Sequence, residues 1–340
     1  VLREKLQPGA VLARVAASHI RVGSFQYFAA QDDQEALKIL ADFAIARHEP
    51  SAAEAGNPYL ALLSGVIARQ AKLIAQWLHI GFIHGVMNTD NMSMRSETID
   101  YGPYGWLEKY DLQWTPNTTD AEGRRYCYAN QPAIAQWNLS RLGNALYPLI
   151  EDVEPLQNSL TAFNQEFHAG WNRLLAAKLG LSAEVLQANP MCYQQLVHVL
   201  SALDMDFNLF FDALTRIAVR DTDCSEPESM QALLGCSYAE TPDAAPLHAW
   251  LQLYRNLLAE SALADRGSSM RAVNPVFILR NHLVQDVIDA AHAGDLQPLQ
   301  DIFVRLKTPY VDARDDARWV RKCPPESMHR AGCSMLSCSS

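Results

Sequence analysis

No run of the roughly 18 apolar residues that a membrane-spanning helix requires occurs in this sequence; the longest candidate, 59–82, is interrupted by Arg69, Lys72 and Gln76. Basic residues are in deficit, with 28 Lys and Arg against 38 Asp and Glu. That imbalance argues against nonspecific nucleic-acid binding, which draws on basic surface, although a local cluster of positive groups is enough to hold a phosphate. None of the seven cysteines forms a CxxC pair, so no zinc site is expected. Their dispersal reads instead as reduced thiols in a cytosol-like compartment. No signal peptide is recognised at the start, and the opening at Val1 rather than Met reads as a missing N-terminus. Charged residues make up only 19% and hydrophobic residues 49%, which excludes wholesale disorder and is enough for a large core.

What is present is mostly helical periodicity. Leu37, Leu40, Ala41 and Ala44 form a stripe over 33–47, and Leu60, Leu63, Ile67 and Ala71 form another over 59–79, which Gly81 should end. From Pro132 the pattern predicts helices over 132–147 (stopped by Pro148), 156–179, 183–187, 192–203, 209–218, 230–234, 245–263, 275–292 and 296–306. Between the two groups, 82–101 is rich in Asn, Asp, Thr and Gly and reads as short strands joined by loops. From Lys307 the chain turns polar and Pro-rich, which predicts an extended tail.

The chemistry is concentrated in His84-Gly-Val-Met-Asn-Thr-Asp90-Asn91-Met and Thr98-Ile-Asp100-Tyr-Gly102-Pro-Tyr-Gly105. Kinases hold magnesium with an Asn seven positions after a loop His and with an Asp-Phe-Gly turn one short strand later. His84 and Asn91 have that spacing, and Asp100-Tyr101-Gly102 has that form; Asn and Asp oxygens suit a hard ion. The base Asp of kinases would fall at Val86, which cannot accept a proton. Asp90 is the nearest carboxylate, able to serve as base or as a further metal-site group. Aminoglycoside phosphotransferases, whose loop begins His-Gly-Asp, match at His84-Gly85 and fail at Val86.

The whole string resembles the signature of the selenoprotein O (SelO) family. Pro8 to Phe25, Gln131-Pro132, Trp137-Asn-Leu-Ser-Arg-Leu142, Asn274-Pro-Val-Phe-Ile-Leu-Arg-Asn-His282 and the terminal Ser337-Cys338-Ser-Ser are similar to the family as well. The resemblance implies a mainly α, protein-kinase-like C-terminal lobe with a small β element and a helical extension. It divides the chain into an inter-lobe segment (1–30), a core with the catalytic and metal loops (31–130), a helical region (131–306) and a Cys-containing tail (307–340). It implies transfer of AMP from ATP to Ser, Thr or Tyr hydroxyls of proteins, with the nucleotide held flipped relative to kinases. Asp90 would be the proton acceptor, Asn91 and Asp100 would bind Mg2+ (or Mn2+), and Arg14, Arg21 and Asp100 would hold the nucleotide. ATP and protein substrates are the implied partners, with no nucleic acid or membrane, in the cytoplasm of a bacterium or the mitochondrion of a eukaryote. Cys338 matches the position that is Sec in some members; the cysteine it pairs with in some bacterial members has no counterpart near Trp114 to Asn117, and Cys127 is the nearest alternative.

A Gly-rich phosphate loop, a strand lysine and a helix glutamate do not precede Arg14. The expectation is therefore a chain lacking its N-terminal lobe, with weak ATP binding and little activity alone. Two rival readings are an ordinary phosphotransferase, against which Val86 argues, and a catalytically silent pseudokinase that binds partners.

Overall fold

The computed structural model describes residues 11–220, 223–224, 226–312, 317–328 and 336. Three helices come first: α1 (Val22–Ala30), α2 (Gln34–His48) and α3 (Pro58–Ile80). Asn57 caps α3 through its side chain, Pro58 takes the first turn, and Gly81 ends the helix in the left-handed region at φ 77°. Strands β1 (Phe82–Ile83) and β2 (Gly105–Trp106) then pair antiparallel, Phe82 opposite Trp106 and Ile83 opposite Gly105. The remainder is helical: α4 (Gln131–Ile150), α5 (Val153–Leu179), α6 (Ala183–Ala188), α7 (Pro190–Ala202), α8 (Phe207–Val219), α9 (Pro227–Leu234), α10 (Ala245–Glu260), α11 (Arg266–Val273), α12 (Asn281–His292) and α13 (Gln297–Leu306). Among the described residues no helix is long and apolar enough to cross a membrane.

The structure departs from the periodicity at several points. α4 runs through Pro148 to Ile150 and stops at Glu151, which takes φ 62°. Pro148 has no N–H to donate to the carbonyl four residues back, and the helix ends two residues beyond it. No helix starts at Pro275. Residues 275–280 form no regular element; the amides of Val276 and Phe277 both donate to Pro309 O (2.8 and 3.1 Å), and α11 lies before them. The tail is not simply extended, since it makes 3₁₀ turns at Ala317–Val320 and Pro325–Ser327 and buries Trp319 and Cys323.

One apolar core runs from Val22 to Met270, and a smaller one gathers Phe277, Leu283, Val287, Ile302 and Trp319. The large core encloses a cation. Lys178 of α5 is buried, with Nζ 4.2 Å from the ring centroid of Phe211 and 5.1 Å from that of Phe207. Burial pushes its pKa down to about 7 from 10.5. Between those two values the unfolded chain keeps a proton that the folded chain has released, so this group's contribution to stability rises with pH across that window. Lys178→Met should therefore stabilise the fold by a few kcal/mol near pH 7, with the gain vanishing as pH approaches 10.5. Urea unfolding at several pH values measures this, and a pH-independent difference would contradict it.

Candidate active site

The loop after β1 is suspended from side-chain amides. Gln131, the first residue of α4, donates from Nε2 to Phe82 O (2.9 Å) and accepts the His84 N–H at Oε1 (3.1 Å). Leu107 N meets Gly81 O on the β2 side, so one buried amide pairs with the edge of β1 that β2 leaves open, much as a third strand would. Two turns further along α4, Asn138 donates from Nδ2 to Met87 O (2.9 Å). His84 braces the same loop from inside. Its Nδ1 accepts the Val86 N–H (3.3 Å) and its Nε2–H donates to Ile99 O (2.7 Å), which fixes one neutral tautomer. Burial lowers its pKa, in keeping with that neutral form. His84 thus acts as scaffold for the loop.

Gly85 has φ 80°, and a Cβ there would lie 2.1 Å from Pro103 O; Asn117 Nδ2 donates to Gly85 O (3.0 Å) from below. Gly85→Ala combines the left-handed penalty with a clash against backbone, and should cost at least about 2 kcal/mol. Thermal unfolding measures it, and a loss below ~0.5 kcal/mol would mean the loop can move away from Pro103.

The second half of the site is a short hairpin. Met92 bridges Thr98 antiparallel, and Arg21 bridges Ser93 on the other flank, where Val22 N donates to Met92 O and Met94 N to Ile20 O (both 3.0 Å). Helix α3 supports it with residues two turns apart: Gln70 Nε2 donates to Ser93 O (2.8 Å) and Trp77 Nε1 to Thr98 Oγ1 (3.0 Å). In this antiparallel register Asp90 and Asn91, before Met92, share one end of the hairpin with Asp100, beyond Thr98. Asn91 Nδ2 donates to Val86 O (2.9 Å), which leaves its amide oxygen as an acceptor. Asp100 is exposed and takes φ 57°, a region Asp tolerates better than most residues and one that gathers at functional sites. Asp90 is exposed too. Its carboxylate lies against the first turn of α1, where a Cβ on Gly23 would sit 1.9 Å from Oδ1.

The two predicted arginines flank the hairpin. Arg14 is exposed; its Nη2 donates to Thr98 O (2.8 Å) and its guanidinium lies 5.7 Å from the Tyr101 ring centroid. Arg21, partly buried, precedes α1, and its N–H donates to Ser24 Oγ (3.4 Å). Cys338 lies outside the described residues. Cys127 is fully buried, its thiol directed at Gln113 Oε1 (3.8 Å). The chain's tail nevertheless reaches the site. Leu336 bridges Asn117, with Leu336 N donating to Pro116 O (2.8 Å) and Thr118 N to Leu336 O (2.7 Å).

A sequence profile described as protein adenylyltransferase SelO matches residues 1–307. The chain belongs to the SelO family. Three proteins each named protein nucleotidyltransferase YdiU are similar to it: 46% identical over 327 residues in Methylorubrum populi, 43% over 340 in Xanthomonas campestris pv. campestris and 40% over 352 in Rhodopirellula baltica. These alignments cover 94%, 98% and 98% of the chain, which spans 64%, 64% and 65% of those relatives.

In this SelO-family chain the supports were less visible in the sequence than the predicted chemistry. Gln131, Asn138, Asn117 and Gly23 fell in noticed runs without a role, and Gln70 drew no notice. A side-chain amide that satisfies a loop carbonyl follows no fixed spacing. The one regularity is the seven-residue interval from Gln70 to Trp77 and from Gln131 to Asn138, which sets each pair on one helix face.

Proposed function

We propose that this protein transfers AMP from ATP onto Ser, Thr or Tyr hydroxyls of other proteins, from a site at the junction of the 84–91 loop and the 92–98 hairpin. The observation that carries this reading is the register that puts Asp90, Asn91 and Asp100 at one end of that hairpin, in a chain of the SelO family. The fold reading that goes with it is the C-terminal lobe of a kinase-like enzyme.

Asn91 and Asp100 fit a magnesium ion. Both offer oxygen, the Asn91 amide is oriented by its bond to Val86 O, and Asp100 is open to solvent. When bound, the ion offsets phosphate charge. The chain's own groups account for the rest. Asp90 accepts the proton of the acceptor hydroxyl; the oxygen attacks the α-phosphorus, and the bond to the β-phosphate oxygen breaks, releasing pyrophosphate. Arg14 and Arg21 present guanidinium donors to the phosphates. Val86 supplies backbone only, its N–H to His84 and its O to Asn91, which disfavours a kinase base at that position.

The test is to incubate the full-length protein with a protein extract and ATP labelled at the α or the γ phosphate. Label from the α position should appear on protein. Label from the γ position instead would make this a kinase, and no label would favour a silent binding protein.

A further inference from the structure

Away from the hairpin end, three potential metal ligands meet. Glu108 lies two residues past β2, His282 is the second residue of α12, and Cys323 follows the 3₁₀ turn at Ala317–Val320. One ligand-capable atom from each lies within 4.8 Å of the other two. His282 is 2% exposed and Cys323 5%. His282 Nδ1 is 3.5 Å from Glu108 Oε1, yet neither ring nitrogen makes a hydrogen bond. A buried imidazole with both nitrogens unsatisfied is costly and calls for a ligand.

The surroundings favour a dication. Arg280 donates to both carboxylate oxygens of Asp206 (2.7 and 2.9 Å) and reaches Glu108 Oε2 at 3.3 Å. Two carboxylates and one guanidinium leave one formal negative charge in a buried place. A dication that displaces the thiol proton changes the sum to zero, with Asp206, Glu108 and the thiolate against Arg280 and the metal. Arg280 holds Glu108 by Oε2 and leaves Oε1 facing His282, the kind of outer support that orients a metal ligand. Tyr238 steadies the third ligand: its hydroxyl donates to Asp206 Oδ2 (3.0 Å) and accepts the Cys323 N–H (3.1 Å). A cavity of about 240 Å³, lined by Glu108, Cys323, Trp106, Asn281 and Met328 among others, provides entry and room for a water.

We propose that Glu108, one ring nitrogen of His282 and the thiolate of Cys323 bind a zinc-like divalent ion, with a water as the fourth ligand. The set of N, S and O donors with an open position suits zinc and discriminates against magnesium. Binding forms a metal–sulfur bond and releases the thiol proton to solvent. The CxxC rule had pointed away from zinc because it searches for paired cysteines, whereas these ligands come from three distant parts of the chain.

The test is to titrate the reduced, metal-depleted full chain with Co2+ and follow the near-ultraviolet thiolate-to-cobalt absorption. One equivalent should saturate the band. Cys323→Ser should abolish it, His282→Asn should weaken binding by at least about tenfold, and the Cys333→Ser/Cys338→Ser double variant should retain it. The proposal fails if no band develops, or if the band survives Cys323→Ser and disappears in the tail double variant. Should a variant misfold, X-ray absorption of the wild-type cobalt form decides: one sulfur with nitrogen and oxygen ligands supports the site, and a sulfur-free or all-sulfur shell overturns it.

Discussion

Asp100→Asn should cut AMP transfer on the order of a thousandfold while leaving the fold intact. The substitution keeps the side chain's shape, and Asn accepts the left-handed conformation that Asp100 holds at φ 57° as readily as Asp does. The backbone turn, in which Gly102 N donates to Asp100 O (2.8 Å), should persist. What is lost is one formal negative charge at the proposed ion. Metal stabilisation of several kcal/mol, at 1.36 kcal/mol per tenfold, gives a loss of that size. The measurement is label transfer from α-labelled ATP, with thermal unfolding as the control. A variant that keeps more than about a tenth of the activity would remove Asp100 from the metal site. Asp100→Ala is the poorer probe, because Ala is strained at positive φ and would mix stability with chemistry.

Arg280→Met should destabilise the protein by about 3–5 kcal/mol, among the largest losses available from one substitution. Arg280 is 1% exposed and Asp206 is fully buried. Asp206 also caps α8 by accepting the Leu209 N–H (3.0 Å), and the amide of the next residue, Phe207, donates to Glu108 O (2.7 Å). Taking away the guanidinium leaves two carboxylates without their cation in the seam that joins α8, the strand β2 and the start of α12. Adding Asp206→Asn should recover part of the loss, since a neutral amide can still cap the helix and one uncompensated charge is gone. Denaturant unfolding of the single and double variants tests the coupling. A loss under about 1 kcal/mol for Arg280→Met would mean that water reaches the seam.

The helices were legible where amphipathic stripes were strong and ends were marked. α3 starts one residue and ends one residue from the expected limits because Asn57, Pro58 and Gly81 punctuate it. α11 escaped notice because Arg-Gly-Ser-Ser-Met-Arg-Ala-Val has little apolar periodicity; it buries Gly267 and Met270 by tertiary packing. α1 was hidden by the resemblance that carried residues 8–25, and it forms where Val22 and Phe25 enter the core. The candidate site was noticed in the sequence because the spacing of His84 and Asn91 and the Asp100-Tyr-Gly form match the pattern by which kinases hold magnesium. Its supports were not. Gln131, Asn138 and Asn117 act through single hydrogen bonds to loop carbonyls, and such bonds depend on tertiary approach. The meeting of Glu108, His282 and Cys323 was hidden for the same reason.

The pairing of Leu336 with the 116–118 strip has a consequence for biosynthesis. Thr118 Oγ1 and Leu336 O are partners across 218 positions of chain, and Asn117, between Pro116 and Thr118, is the residue that holds Gly85. The 84–91 loop is therefore not fully braced until the ribosome has passed residue 336. During translation the loop around Gly85 waits on an unfinished mount until that distant strip of backbone has been made.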